Sequence, residues 1–294
     1  MKRFLFLALT VLGFLTLQGC KKSEKLIYHH KLGKTEVVLL SDGQNTGDPS
    51  ALIGASEEIL NEFVPTGTLN SAFNIFLLKI DGKKIIVDAG MGFHLVDNLA
   101  SEGLQPEDID MILLTHMHGD HIGGLLKDGQ KVFPNAKLYI SEKEVAYWTD
   151  KEYMSSLPEG QQRGFIGAQQ VVETYKDNLV LFEPQEIENM QDLIPGVKSI
   201  ASYGHTPGHT CYMVENGGDK LFIWGDMINI AAVQVPHPEI PTRFDVDPDM
   251  AAATRAHILN YLETNKLNVA GMHVEYPGVG KLVRSNRGLE LKLD

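Results

Sequence analysis

The stretch L-T-H-M-H-G-D-H-I-G-G, Leu114 to Gly124, decides how the rest of the chain is read. Three imidazoles and a carboxylate (His116, His118, Asp120, His121) fall within six positions. Apolar runs flank them, Met111-Ile112-Leu113-Leu114 before and Ile122-Gly123-Gly124-Leu125-Leu126 after, so surface solvation explains them poorly. In extended backbone, residues i and i+2 project to the same side, which lets His116 and His118 reach one ion. Asp120 and His121 follow where the chain turns into a helix and are free to face a second. Imidazole and carboxylate together suit zinc or another borderline transition metal. The stretch is therefore either a His-rich turn or one half of a metal site.

Three more segments supply what a metal site requires. G-H-T-P-G-H-T, 204–210, offers His205 and His209. W-G-D, 224–226, puts Asp226 at the end of an apolar strand, and G-M-H-V-E-Y-P-G, 271–278, does the same for His273. Each lies at the C-terminal end of a strand candidate, where loops converge on one edge of a layered fold.

Around these motifs the chain alternates strands with helices. Ser71 to Ile80, the turn Asp81-Gly82 and Lys84 to Asp88 read as a hairpin. Short strands are expected at 111–114, 137–140, 197–201 and 268–272. A second hairpin covers 212–214 and 221–224, and a strand pair lies within 281–293. Ser141 with Glu144 has capping-box spacing and opens a helix to Trp148, and 160–175 is helical. The clearest helix is Pro248 to Thr264, with Asp247 as N-cap and Met250, Ala253, Ile258, Leu259 and Leu262 along one face. Mixed hairpins and helices indicate a layered α/β domain.

The 294 residues carry a formal net charge of -12, and no basic cluster stands out. That balance disfavours polyanions, so nucleic acid is not an expected partner. Lys2 and Arg3 precede an apolar stretch, Phe4 to Leu17, of secretory-signal length. Leu17-Gln18-Gly19-Cys20 resembles the lipobox of bacterial lipoproteins. The expectation is a signal peptide over 1–19, lipidation of Cys20, a polar tether over 20–34, and a single domain over 35–294 that is membrane-anchored and faces the periplasm or cell exterior. Cys20 and Cys211 are the only cysteines. Acylation of Cys20 leaves Cys211 a free thiol, and its apolar neighbours predict burial.

Together HxHxDH, GHTPGH, the strand-end Gly-Asp and the late His resemble the metallo-β-lactamase superfamily of dinuclear hydrolases. The resemblance implies the four-layer αββα sandwich. It also implies that His116, His118 and His209 hold one metal and Asp120, His121 and His273 the other, with Asp226 bridging. Asp88 in Val-Asp-Ala-Gly would support the ligand loop from behind, and His205 would brace its own loop. The ions implied are two divalent cations, zinc first, with manganese, cobalt or iron as alternatives. His29, His30, His94, His237 and His257 read as solvated or hydrogen-bonded, His237 with the option of bordering the site.

Within the superfamily, W-G-D-M-I-N-I-A-A-V-Q-V-P-H-P, G-M-H-V-E-Y-P-G-V-G-K-L and Val132-Phe133-Pro134-Asn135-Ala136 resemble the methyl parathion hydrolase branch. That implies uncharged substrates (organophosphate triesters, aryl esters or lactones) in a pocket lined by Phe93, Trp148 and Phe165, and a homodimer as one oligomeric option. The mechanism implied is a bridging hydroxide attacking the ester-type centre, with Asp120 as a candidate acid for the leaving group. An N-acyl-homoserine lactonase commonly carries Tyr three residues after the bridging Asp, where this chain has Asn229. A true β-lactamase would not bridge its metals with Asp, and a glyoxalase II-type thioesterase would add a C-terminal helical module. A non-catalytic metal-binding lipoprotein is the remaining alternative. No P-loop or Gly-x-Ser-x-Gly elbow is present.

Overall fold

The computed structural model describes residues 26–294. The signal segment, Cys20 and the first part of the expected tether lie outside them. Two seven-stranded sheets form the centre. The first contains β1 (Ile27–Leu32), β2 (Thr35–Gly47), β3 (Leu69–Ile80), β4 (Lys83–Val87) and β5 (Met111–Leu113), and then, after the small β6 (Leu126–Lys127) and β7 (Gln130–Lys131) ribbon, β8 (Lys137–Ser141) and β9 (Leu179–Phe182). The second runs β10 (Asp192–Ile194), β11 (Val197–Ala201), β12 (Thr210–Asn216), β13 (Asp219–Ile223), β14 (Asn268–Ala270), β15 (Val279–Ser285) and β16 (Gly288–Leu293), neighbours in chain order. The helices are α1 (Glu57–Phe63), α2 (Leu95–Ser101), α3 (Gly119–Ile122), α4 (Glu142–Thr149), α5 (Lys151–Ser156), α6 (Glu159–Tyr175), α7 (Ala231–Gln234) and α8 (Pro248–Thr264).

Side-chain alternation explains the layering. Along β3, Phe76 and Leu78 point into the core between the sheets while Ile75 and Leu77 point out toward α2, α4 and α6. Along β13, Leu221 and Ile223 face in and Phe222 faces out, toward Ile258, Leu259 and Leu262 of α8. A strand buried on both faces must be apolar at consecutive positions, which is why Leu77-Leu78 and Ile85-Ile86-Val87 read as continuous runs. The result is the expected αββα sandwich, a single domain. A smaller cluster of Ala51, Leu52, Val64, Leu69, Ile230, Val233 and Ile240 packs α1 and α7 beside one end of it.

Two expectations need correction here. The stretch assigned to a tether contains β1, which pairs with β2 from Ile27↔Leu40 to Leu32↔Thr35. Leu32 sits in the core, so the domain begins by Ile27 rather than at 35. In α8, Met250 is 47% exposed and Ala253 also faces solvent; the buried stripe is Ala251, Arg255, Ile258, Leu259 and Leu262. That stripe keeps helical spacing but includes an arginine, which a hydrophobicity pattern passes over. Among the described residues no helix is long and apolar enough to cross a membrane.

Candidate metal centre

Parallel pairing sets the site's place. β4, β5 and β8 run parallel, as do β13 and β14, so their C-terminal ends open on the same edge. Asp88 follows β4, the HxHxDH loop follows β5, Asp226 follows β13, and His273 follows β14. The loop after β11 adds His205 and His209.

Two groups of side chains there hold donor atoms close enough for a single ion: His116, His118, His205 and Asp226, and beside them Asp120, His121 and His273. His116 Nε2 stands 2.8 Å from His118 Nδ1, and His205 Nε2 stands 3.0 Å from the same atom. Asp226 faces both groups, its Oδ2 at 3.3 Å from His205 Nε2 and 3.1 Å from His273 Nε2, its Oδ1 at 3.1 Å from His121 Nε2. Asp120 is half-buried, 3.5 Å from His273 Nε2 and 3.8 Å from His121 Nε2.

The other ring nitrogens are tied to fixed partners. Asp88 accepts from the Thr115 backbone N–H and hydroxyl, each at 2.8 Å, and from His121 Nδ1 at 2.7 Å. Thr115 Oγ1 also meets His116 Nδ1 at 3.0 Å. His273 Nδ1 donates to the Ala72 carbonyl at 2.8 Å, and Asn74 holds the same loop through the Gly271 and Val274 carbonyls. His205 Nδ1 bonds Asp245 at 2.8 Å, and Asn229 Nδ2 donates to Asp226 Oδ2 at 2.7 Å.

The third His of the first group is His205, not His209. His209 Nε2 accepts the Asp226 backbone N–H at 2.9 Å, so its lone pair is committed to fixing the Asp226 turn. His205 has the arrangement of a ligand instead: one nitrogen anchored on Asp245, the other among the donors. The two histidines are four residues apart in one loop, and spacing alone does not separate them.

Burial and charge have opposite effects across the cluster. Burial holds His116 well below the ordinary imidazole range and lowers His118 to about 3, so both are neutral donors. Burial would do the same to His121 and His273, but Asp226 and its fellow carboxylates raise them instead. Burial opposes the charge of Asp226, yet His121 and His273 hold its carboxyl well below the usual range. His121 Nε2 and Asp226 Oδ1 are buried without a hydrogen-bond partner. Orphaned buried polar atoms of this kind are uncommon, and these two, with three converging imidazole nitrogens, form a donor set that divalent cations fit.

Three residues of the site were not legible as such. Glu144, fully buried, accepts from Met117 N–H and Trp148 Nε1 on one oxygen and from Thr206 Oγ1 and Gly208 N–H on the other. Asp245 anchors His205. Phe73 packs its ring edge-on to His273 at 5.9 Å. The expected pocket aromatics are placed differently. Trp148 and Phe165 are buried in the core, 4.7 Å apart, with Trp148 backing His118, and neither lines the cavity over the site. Phe93 is 60% exposed, held by Asp42 through its backbone N–H. His237 packs edge-on to Phe63 at 5.2 Å. Cys211 is buried and free, its thiol pushed up to about 12 by burial.

A cavity of about 560 Å³ opens over the cluster. His118, Asp120, Asp226 and His273 stand in it, with Leu69, Phe73, Ile230 and Phe244 on its apolar wall and Asp48 and Arg243 among its polar lining.

Comparison with known proteins agrees with this fold. A hydrolase of the beta-lactamase superfamily, AbOPH, superposes with a TM-score of 0.83 at 28% identity, over 93% of this chain and 99% of that one. AidC, a dizinc quorum-quenching lactonase in complex with a product, N-hexanoyl-L-homoserine, superposes with a TM-score of 0.82 at 26% identity, over 92% and 98%. Among curated relatives, the exodeoxyribonuclease WalJ of Streptococcus pneumoniae serotype 2 is 34% identical over 96 residues, 32% of this chain and 35% of WalJ. The N-acyl homoserine lactonase of Bacillus cereus is 25% identical over 187 residues, 54% of this chain and 64% of the lactonase. The chain thus spans only about a third of the length of WalJ. The family model for the metallo-beta-lactamase superfamily matches residues 72–263, and with that match, the sandwich and the His/Asp cluster, the chain belongs to the metallo-beta-lactamase superfamily.

Proposed function

We propose that this protein hydrolyses uncharged ester-type substrates (lactones, aryl esters or organophosphate triesters) as a member of the methyl parathion hydrolase-like branch. The observation that carries the reading is the cavity: His118, Asp120, Asp226 and His273 stand in it against an apolar wall of Leu69, Phe73, Ile230 and Phe244. A neutral substrate with an apolar arm suits that lining, and the net acidity of the chain disfavours polyanions. Full-length likeness to AbOPH and AidC supports it, and the nuclease relatives match over shorter stretches.

Two divalent cations, one per group, would supply a hydroxide at neutral pH and polarise the bond to be cleaved. The chain's own residues do the rest. His116, His118 and His205 would offer ring nitrogens to one ion, Asp120, His121 and His273 would serve the other, and Asp226 faces both groups. Asn229 holds Asp226 Oδ2, and His209 holds its backbone, so that the carboxylate cannot swing. Asp120, open to the cavity, is the group to carry a proton to the leaving oxygen. Leu69, Phe73 and Phe244 exclude water from the far side of the substrate. Zinc is the first expectation, since mixed imidazole and carboxylate donors suit it.

The test is a metal analysis of the purified protein, then turnover of a panel: lactones, aryl esters, phosphotriesters, β-lactams, and DNA and RNA oligonucleotides. Turnover of neutral esters with none of oligonucleotides is expected. Turnover confined to β-lactams or to oligonucleotides overturns the reading. A lactonase is the alternative within it, supported by the likeness to AidC; Asn229 in place of Tyr predicts weaker lactone than aryl-ester turnover. Lipid anchorage at Cys20 is part of the same proposal, and absence of labelled palmitate from the wild-type chain in bacteria would refute it.

A further inference from the structure

We propose that Glu144 is a positioning residue that sets the distance between the two loops carrying His116, His118 and His205, and through that distance the affinity for the ion these three face. The inference rests on reading the cluster as a metal centre.

The spacing of Ser141 and Glu144 suggests a capping box, yet Ser141 makes no side-chain cap bond and its hydroxyl is buried without a partner. Glu144 turns away from the helix end. One oxygen accepts the N–H of Met117, the residue between His116 and His118, at 2.9 Å, and Trp148 Nε1 at 2.6 Å. The Trp148 ring in turn lies 5.5 Å from that of His118. The other oxygen accepts Thr206 Oγ1 at 2.7 Å and the Gly208 N–H at 3.0 Å, both in the loop that presents His205. Glu144 thus joins the HxHxDH loop to the GHTPGH loop through one carboxylate. Gly208 shows how close the approach is, since a Cβ there would lie 2.2 Å from Glu144 N.

A carboxylate is needed because all four partners donate. Glutamine can accept only on one oxygen. Two N–H donors fix that oxygen on the Met117 side, so the amide nitrogen falls opposite Thr206 and Gly208. The Thr206 hydroxyl can rotate to accept, but the Gly208 N–H then faces another donor. Glu144→Gln therefore loses the Gly208 bond and sets two donors against each other on the His205 loop, while keeping the link to Met117. Groups that orient ligands from behind typically change metal affinity 10–100-fold.

The experiment titrates metal-free protein with zinc against a chromophoric chelator, with melting of the metal-free form measured in parallel. Wild type is expected to take up two zinc ions per chain. Glu144→Gln is expected to retain one step and weaken the other about 10–100-fold. Thr206→Val removes one of the four bonds and weakens the same step less. On the Glu144→Gln background, Thr206→Val removes only the reversed Thr206 bond, so it weakens that step less than the Glu144→Gln change itself does. In the His273→Ala variant, which disables the neighbouring group, the remaining step is the one Glu144→Gln weakens. If Glu144→Gln does not fold, Thr206→Val and Trp148→Phe carry the test. Both steps unchanged, or both weakened equally alongside a lower melting temperature, overturns the proposal. Failure of wild type to bind zinc, cobalt or manganese would instead overturn the metal-centre reading beneath it.

Discussion

Asp88→Asn separates metal binding from folding, because the change is one of proton bookkeeping rather than shape. Asp88 has φ near +61°, a conformation that Asn tolerates as well as Asp, so the backbone stays. One amide oxygen can keep the Thr115 N–H. The amide nitrogen replaces the oxygen that accepts from Thr115 Oγ1 and His121 Nδ1 at 2.8 and 2.7 Å. The threonine hydroxyl can turn and accept. His121 Nδ1 must now accept as well, so the neutral ring keeps its proton on Nε2. That atom lies 3.1 Å from Asp226 Oδ1, and both are orphaned in the metal-free chain. An N–H there, which Asp226 already favours, becomes the ring's only one; it ties Nε2 to Asp226 Oδ1 and takes His121 away from the ion. The metal-free variant should melt no lower than wild type, while the Asp120/His121/His273 ion binds about 10–100-fold more weakly, or about 1.4–2.8 kcal/mol. Zinc competition reads the affinity, and nitrogen-15 histidine spectra read the tautomer. Two zinc steps of wild-type affinity, or His121 with its proton still on Nδ1, would refute the argument.

Three further outcomes follow from the packing. Gly208→Ala drives a Cβ against the Glu144 backbone at 2.2 Å, so urea unfolding should show a loss of about 1–3 kcal/mol; wild-type stability would mean the loops can separate freely. Arg255→Met removes a buried guanidinium that donates to the carbonyls of Met227, Pro238 and Ile240 and faces Asp245 at 3.5 Å. Its expected loss is about 3–5 kcal/mol, read as a lower denaturation midpoint, and a change below 1 kcal/mol contradicts that role. Chelation of resident metal should lower the melting temperature, and zinc should restore it in proportion to its concentration; a melting temperature indifferent to chelator argues against ions held by the folded state.

How much of this was legible in the sequence depends on how locally each residue is determined. His116, His118, Asp120 and His121 are fixed by one strand end and one short helix, so their common destination could be read from six letters. Asp226 and His273 were readable because apolar runs deliver them to the same edge. The choice between His205 and His209 was not local. It depends on Asp245, forty residues on, reaching back to His205, and on the turn at Gly225 placing the Asp226 N–H against His209. Glu144 failed for the same reason: its helix-start position matches a cap, and only the fold brings Thr206 and Gly208 to it. Trp148 and Phe165 are in the core because α4 and α6 pack their aromatic faces on each other and on the first sheet, whereas Phe73 and Phe244, which no motif marks, line the cavity.

The residues around the cluster are arranged to hold donors in place before any ion arrives. His116, His121, His205 and His273 each have their rear nitrogen on a fixed acceptor or hydroxyl, and Asp226 is held from both its backbone and its carboxylate. Flexible donors would lose rotamer freedom on binding; these have already lost it in folding. The consequence is a metal-free state with buried atoms that pair with nothing, each worth about 1–3 kcal/mol of destabilisation. Metal and fold are therefore linked: the rigidity that makes the donors converge also makes the empty cluster the least stable part of the sandwich. Unfolding of the metal-free chain should accordingly begin at the loops after β5, β11, β13 and β14, where hydrogen exchange would locate it, rather than in the core between the sheets.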